Sequence, residues 1–102
     1  MVYLLNKLFG PSIFLLVLDL FLDNPRELMN LREIARRVNK NPGSISRVMP
    51  LLVERGLVEE IKIGKKVRAY RLNVENQLVQ VLIEFSQKLK KINLNSQFVQ
   101  NK

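Results

Sequence analysis

The sequence contains no cysteine, no histidine and no tryptophan. Without cysteine there is no disulfide framework, thiolate metal site or cysteine nucleophile. Without histidine the commonest zinc ligand and the commonest general base near neutral pH are missing. We therefore expect no metal, no cofactor and no catalytic residues, and a chain that is not an enzyme. Aromatics are limited to two tyrosines and five phenylalanines, with little interleaving among basic residues. That composition argues against a base-stacking platform for single strands. Four glycines and four prolines build no linker, and no repeat divides the 102 residues, so one domain with a modest core is expected. Long apolar runs are also missing. The best candidate, Leu8 to Leu18, is interrupted by Gly10-Pro11, is followed by Asp19 and Asp23, and is too short to span a bilayer. No small-residue cleavage site follows it either, so a cytoplasmic protein without a membrane partner is expected.

Charge of one sign is plentiful. The formal net charge is +8, and residues 32–71 hold eleven Lys/Arg against four Asp/Glu. Residues 1–31 hold two against three, and residues 72–102 hold four against two. The excess is concentrated in the middle of the chain, as on a polyanion-binding face.

Local signals order the elements. Ile13 to Phe21 is apolar on every side of a helix, which is normally buried all round, and Asn24-Pro25 stops it. Asn30-Leu31-Arg32-Glu33 has capping-box form, with Asn30 accepting from the first turn and Glu33 able to reach back toward the cap. Its helix, about Leu31 to Val38, buries Leu31, Ile34, Ala35 and Val38. After a tight turn at Asn39-Lys40, Asn41 caps a helix with Pro42 at its first position, where a missing N–H costs nothing. That helix ends at Arg55-Gly56. Leu57 to Ile63 and Val67 to Leu72 form a β-hairpin around Gly64-Lys65-Lys66. Val74 to about Ile92 is helical, with Val74, Leu78, Val81, Leu82, Phe85, Leu89 and Ile92 on one stripe and Val79 and Ile83 nearly opposite.

Two short helices joined by a tight turn and followed by a basic hairpin describe a winged helix-turn-helix. The expected fold is mainly α with a small β-hairpin, α+β, carrying an extra buried N-terminal helix and a long C-terminal helix. Residues 1–92 would form the single domain and 93–102 a flexible tail. From about Leu8 to Asn76 the chain resembles winged-helix transcription regulators of the ArsR type and related archaeal and bacterial domains. The resemblance rests on "LFGPSIFLLVLDLFLDNP", "NLREIARRV", "NPGSISRVMPLLVERGLVEE" and "GKKVRAYRLN". It implies sequence-specific binding of double-stranded DNA by a homodimer and regulation of nearby promoters. The Cys and His of metal-sensing members are missing here, and Pro50 stands where a polar residue is usual.

The outward half of the helix at 42–55 carries Gly43, Ser44, Ser46, Arg47, Pro50 and Glu54, opposite Ile45, Val48, Met49 and Leu52. Small residues at its start would let it sit deep in a major groove, with Arg47 reaching a base edge or a phosphate. Amides near Asn41 and Ser44 would favour a phosphate. Pro50 is tolerable because it faces out, where water can satisfy the carbonyl of Ser46. Lys62, Lys65, Lys66 and Arg68 form a basic wing for phosphates or the minor groove, and Arg32, Arg36 and Lys40 complete the candidate DNA-binding set. Glu59 and Glu60 point to opposite faces of their strand and are expected to be solvated or paired with wing lysines. Surplus apolar surface on the first and last helices points to a dimer through Ile13, Leu16, Val17, Leu20, Val79, Leu82, Ile83 and Phe85. The alternative reading is a protein–protein interaction module in a larger assembly, without direct DNA reading.

Overall fold

The computed structural model describes residues 3–92, so the tail expected from Asn93 lies outside the described residues. The elements run α1 (Leu4–Phe9), α2 (Ile13–Asp23), β1 (Met29–Asn30), α3 (Leu31–Val38), α4 (Pro42–Glu54), β2 (Val58–Ile63), β3 (Val67–Leu72) and α5 (Gln77–Lys90). Three strands form one antiparallel sheet in the order β1-β3-β2. This is the helix, helix-turn-helix, hairpin and long helix expected from the sequence, with α1 and β1 added.

α2 is the hub. Ser12 caps it by accepting from the Leu15 amide at 3.3 Å, and every residue from Val17 to Leu22 is buried. Phe21, Leu20 and Val17 join Ile34, Ile45, Met49 and Leu52 in the core, so α3 and α4 pack on α2. Val17 and Leu20, expected at a dimer interface, are only 0% and 1% exposed and are used up inside the chain. Apolarity on all sides of α2 is consumed by four neighbouring helices.

Asp19 is buried with this apolar set, yet it is not idle. Its two carboxylate oxygens accept from the Leu5 and Asn6 amides at 2.9 and 3.0 Å, so a side chain of α2 caps α1. Burial pushes its pKa above the ordinary aspartate value, against the two amides, which favour the charged form. Asp19→Ala leaves two amides of α1 without partners. It should cost about 1–2 kcal/mol in denaturant unfolding, with the Leu5 and Asn6 amides losing protection from hydrogen exchange.

The helix-turn-helix is set by three asparagines. Asn30 accepts from the Glu33 amide at 2.9 Å. Asn39 takes the left-handed conformation (φ 58°, ψ 47°) that ends α3. Asn41 accepts from the Ser44 amide at 2.8 Å to start α4, with Pro42 in the first turn. Glu33 does not reach back to the cap. Its carboxylate instead binds Arg36 and Arg37 (2.7 and 2.6 Å), and Arg37 also pairs with Glu27. These guanidiniums hold the Glu27 and Glu33 carboxyls below the usual range.

α4 leaves through Gly56, whose φ of +73° suits glycine, and an added Cβ would sit 2.9 Å from Asn76 Nδ2. The Gly56 carbonyl accepts from Asn73 Nδ2 (3.1 Å) and Asn76 Nδ2 (2.8 Å), while Asn76 Oδ1 caps α5 by accepting from Leu78. The end of α4 and the start of α5 are thereby tied together. The hairpin closes over Gly64-Lys65-Lys66, a three-residue loop between Ile63 and its partner Val67, with Gly64 at φ +69°.

α5 differs from expectation. Val79, Ser86 and Leu89 form its buried edge, with Leu82 and Ile83 half-buried beside them. The longer stripe, Val74, Leu78, Val81, Phe85 and Ile92, faces out. Val79, placed at a dimer interface by the sequence reading, is 0% exposed and lies in the core. Ser86, 6% exposed, is the one polar residue on that buried edge. No helix among the described residues is long and apolar enough to cross a membrane.

Candidate nucleic-acid interface

β1 positions the basic face. Its two residues pair with β3, Met29 opposite Tyr70 and Asn30 opposite Ala69. Asn30 is also the cap of α3, so the sheet pins the N-terminus of α3 beside the hairpin. Arg32 therefore lies near Lys66 and Arg68 although more than thirty residues separate them in sequence.

α4 divides as its periodicity requires. Ile45, Met49 and Leu52 are buried, whereas Gly43, Ser46, Arg47, Pro50 and Glu54 are exposed and Ser44 is half-exposed. The helix runs on through Pro50, which faces out as expected. Arg47 is the only basic residue of α4 and makes no ion pair within the described residues. Ser46 Oγ donates to the Gly43 carbonyl at 2.8 Å.

Between the outward face of α4, the N-terminus of α3 and the hairpin runs an open groove of about 880 Å³. Pro50, Val53 and Tyr70 give it apolar walls, and Arg32, Lys66 and Arg68 supply its cations. Glu54 and Glu60 add two carboxylates. The structure thus brings Arg32, Ser46, Lys66 and Arg68 to one groove. Lys40, Asn41, Gly43, Ser44 and Arg47 lie outside it, around the turn and the first part of α4. Lys62 and Lys65 sit on the exposed wing. Arg36 is exposed but held by Glu33 in an i,i+3 pair.

The acidic pair on β2 behaves in part as anticipated. Glu59 and Glu60 do diverge, but their partners are arginines rather than lysines. Glu59 binds Arg71 at 2.6 Å, and Glu60 approaches Arg68 at 3.6 Å. The Tyr70 hydroxyl donates to Glu60 at 3.3 Å, and burial together with that carboxylate raises the Tyr70 pKa. Glu60, Glu54, Val53 and Tyr70 were not counted among the candidate site residues. Only the pairing of β2 with β3 shows that Glu60 and Tyr70 share the side that meets α4.

No match was found among curated proteins or among solved structures. The winged helix-turn-helix class read from the sequence stands, but the ArsR-type resemblance finds no support in the family model that matches. Residues 12–61, from the cap of α2 into β2, match the IclR helix-turn-helix domain, and in this stretch the chain is similar to the DNA-binding module of that family.

Proposed function

We propose that the chain is a sequence-specific double-stranded DNA-binding protein that regulates transcription as a homodimer, acting by binding rather than by catalysis. The carrying observation is the groove that gathers Arg32, Ser46, Lys66 and Arg68 from three separate elements around the outward face of α4. The similarity of residues 12–61 to the IclR helix-turn-helix domain supports the same reading. α4 enters the major groove with its small residues leading and Arg47 at base edges, while the wing and the start of α3 neutralise phosphates.

The exposed α5 stripe supports the dimer. Leu78, Val81 and Phe85 are 53%, 59% and 37% exposed, at helical spacing on one side of α5. Phe9 extends the surface by stacking on Phe85, with ring centroids 6.4 Å apart. Such a continuous apolar surface is a candidate two-fold contact. Of the interface residues expected from the sequence, Phe85 fits this surface, whereas Ile13, Leu16, Leu82 and Ile83 are half-buried against the chain's own core.

A salt titration tests the phosphate contacts. Lys65→Ala with Lys66→Ala should weaken binding to every duplex and flatten the slope of log K against log salt by about 0.9 per lost contact. An unchanged slope counts against a wing that touches phosphate.

A further inference from the structure

The groove contains a charge of the wrong sign for its proposed ligand. Glu60 sits on β2 directly across from Tyr70, two pairs away from Lys62 and Arg68 in the register and so on the same side of the hairpin. The hydroxyl of Tyr70, a residue only 8% exposed, reaches its carboxylate at 3.3 Å from the buried side. The same oxygen, Oε2, faces Arg68 Nη1 at 3.6 Å. The side chain of Glu60 is 30% exposed and that of Arg68 64%. Thus the anion is the more buried partner and the cation the more exposed one. The distance exceeds that of a good charge-assisted hydrogen bond, so the pair is loose. Arg32 and Lys66 line the same groove without an ion-pair partner among the described residues.

We propose that Glu60 is an internal stand-in for a DNA phosphate, engaging Arg68 in the free chain until a well-fitted duplex displaces it. This rests on the DNA-binding reading and adds a determinant of affinity to it. Phosphates that only hover near the wing, as in non-specific complexes, meet the Glu60 charge and find Arg68 engaged. A duplex seated by α4 brings a phosphate into the groove, draws Arg68 off Glu60 and gains the contact, less the free energy of the broken pair. Glu60 therefore lowers affinity for a seated duplex by the free energy of that pair, and lowers non-specific affinity by no more than that.

The test is Glu60→Gln in the full chain, whose amide oxygen still accepts from Tyr70. Affinity would be read by fluorescence anisotropy across a salt series. One probe is a duplex of mixed sequence; the other is a duplex selected for tight binding. Affinity for the selected duplex should rise about two- to five-fold, because Arg68 no longer has to leave a partly exposed pair. Affinity for the mixed duplex should rise by no more than that, and its salt slope should steepen by up to about 0.9, the increment for one further phosphate contact. Arg68→Ala probes the pair from the other side: it should weaken selected binding and leave mixed binding unchanged. In the double variant the gain on the selected duplex should vanish. An unchanged selected-duplex affinity for Glu60→Gln overturns the proposal, as does a gain that survives removal of Arg68. If the unaltered chain shows no salt-dependent duplex binding, the DNA-binding reading fails first. If it binds and Glu60→Gln changes nothing, only the stand-in role fails.

Discussion

If the proposed homodimer forms through α5, Leu78→Glu with Val81→Glu should leave a monomer and lower affinity for a two-half-site duplex by about a hundred-fold or more. Both side chains are more than half exposed in the single chain, so charging them leaves the packing of α2 against α3 and α4 untouched. Thermal unfolding at low protein concentration should therefore change little. Light scattering should show the halved mass. The loss in affinity arises because two linked recognition helices gain the second half-site at high effective concentration, and a monomer does not. The paired change Val79→Glu would be uninformative, because Val79 lies in the core and its replacement unfolds the chain. A variant that stays dimeric removes the α5 surface from the interface.

Arg47→Ala should cost about 1–3 kcal/mol on a selected duplex, or about ten- to a hundred-fold, and much less on a mixed-sequence duplex. Arg47 is the single cation of α4, outward-facing, with Gly43, Ser44 and Ser46 beside it so that the helix can approach base edges closely. Arg47→Lys should recover only part of the loss, because an ammonium lacks the planar fork that meets two acceptors of guanine at once. Equal losses on both duplexes would assign Arg47 to phosphate rather than base contact. Comparing the two duplexes separates these roles directly.

How much of this was legible in the sequence depended on whether the signal was local. The caps at Asn30 and Asn41, the stop at Asn39 and the outward position of Pro50 all follow from residues within one or two turns, and each is where the sequence placed it. The hairpin was equally local, with its loop at Gly64-Lys65-Lys66. α1 was not legible, because its cap is Asp19, more than a dozen residues downstream. β1 is two residues long and exists only through its pairing with β3. On α5 the periodicity marked a long apolar stripe and a smaller patch at Val79 and Ile83 opposite it. Nothing local states which of them meets the core, and the small Ser86 within the buried edge gave no hydrophobic signal. For the site, charge patterning found the cations. Glu60 and Tyr70 required the strand register, which places them across from each other on the side shared with α4.

Selecting bound fragments from a pool of random duplex DNA tests the central claim most directly. A two-fold dimer that reads the major groove through α4 should enrich a palindromic motif whose half-site centres lie about 10 base pairs, or roughly 34 Å, apart, or at a multiple of that spacing. Retention of fragments without any enriched motif, or no retention at moderate salt, would contradict it.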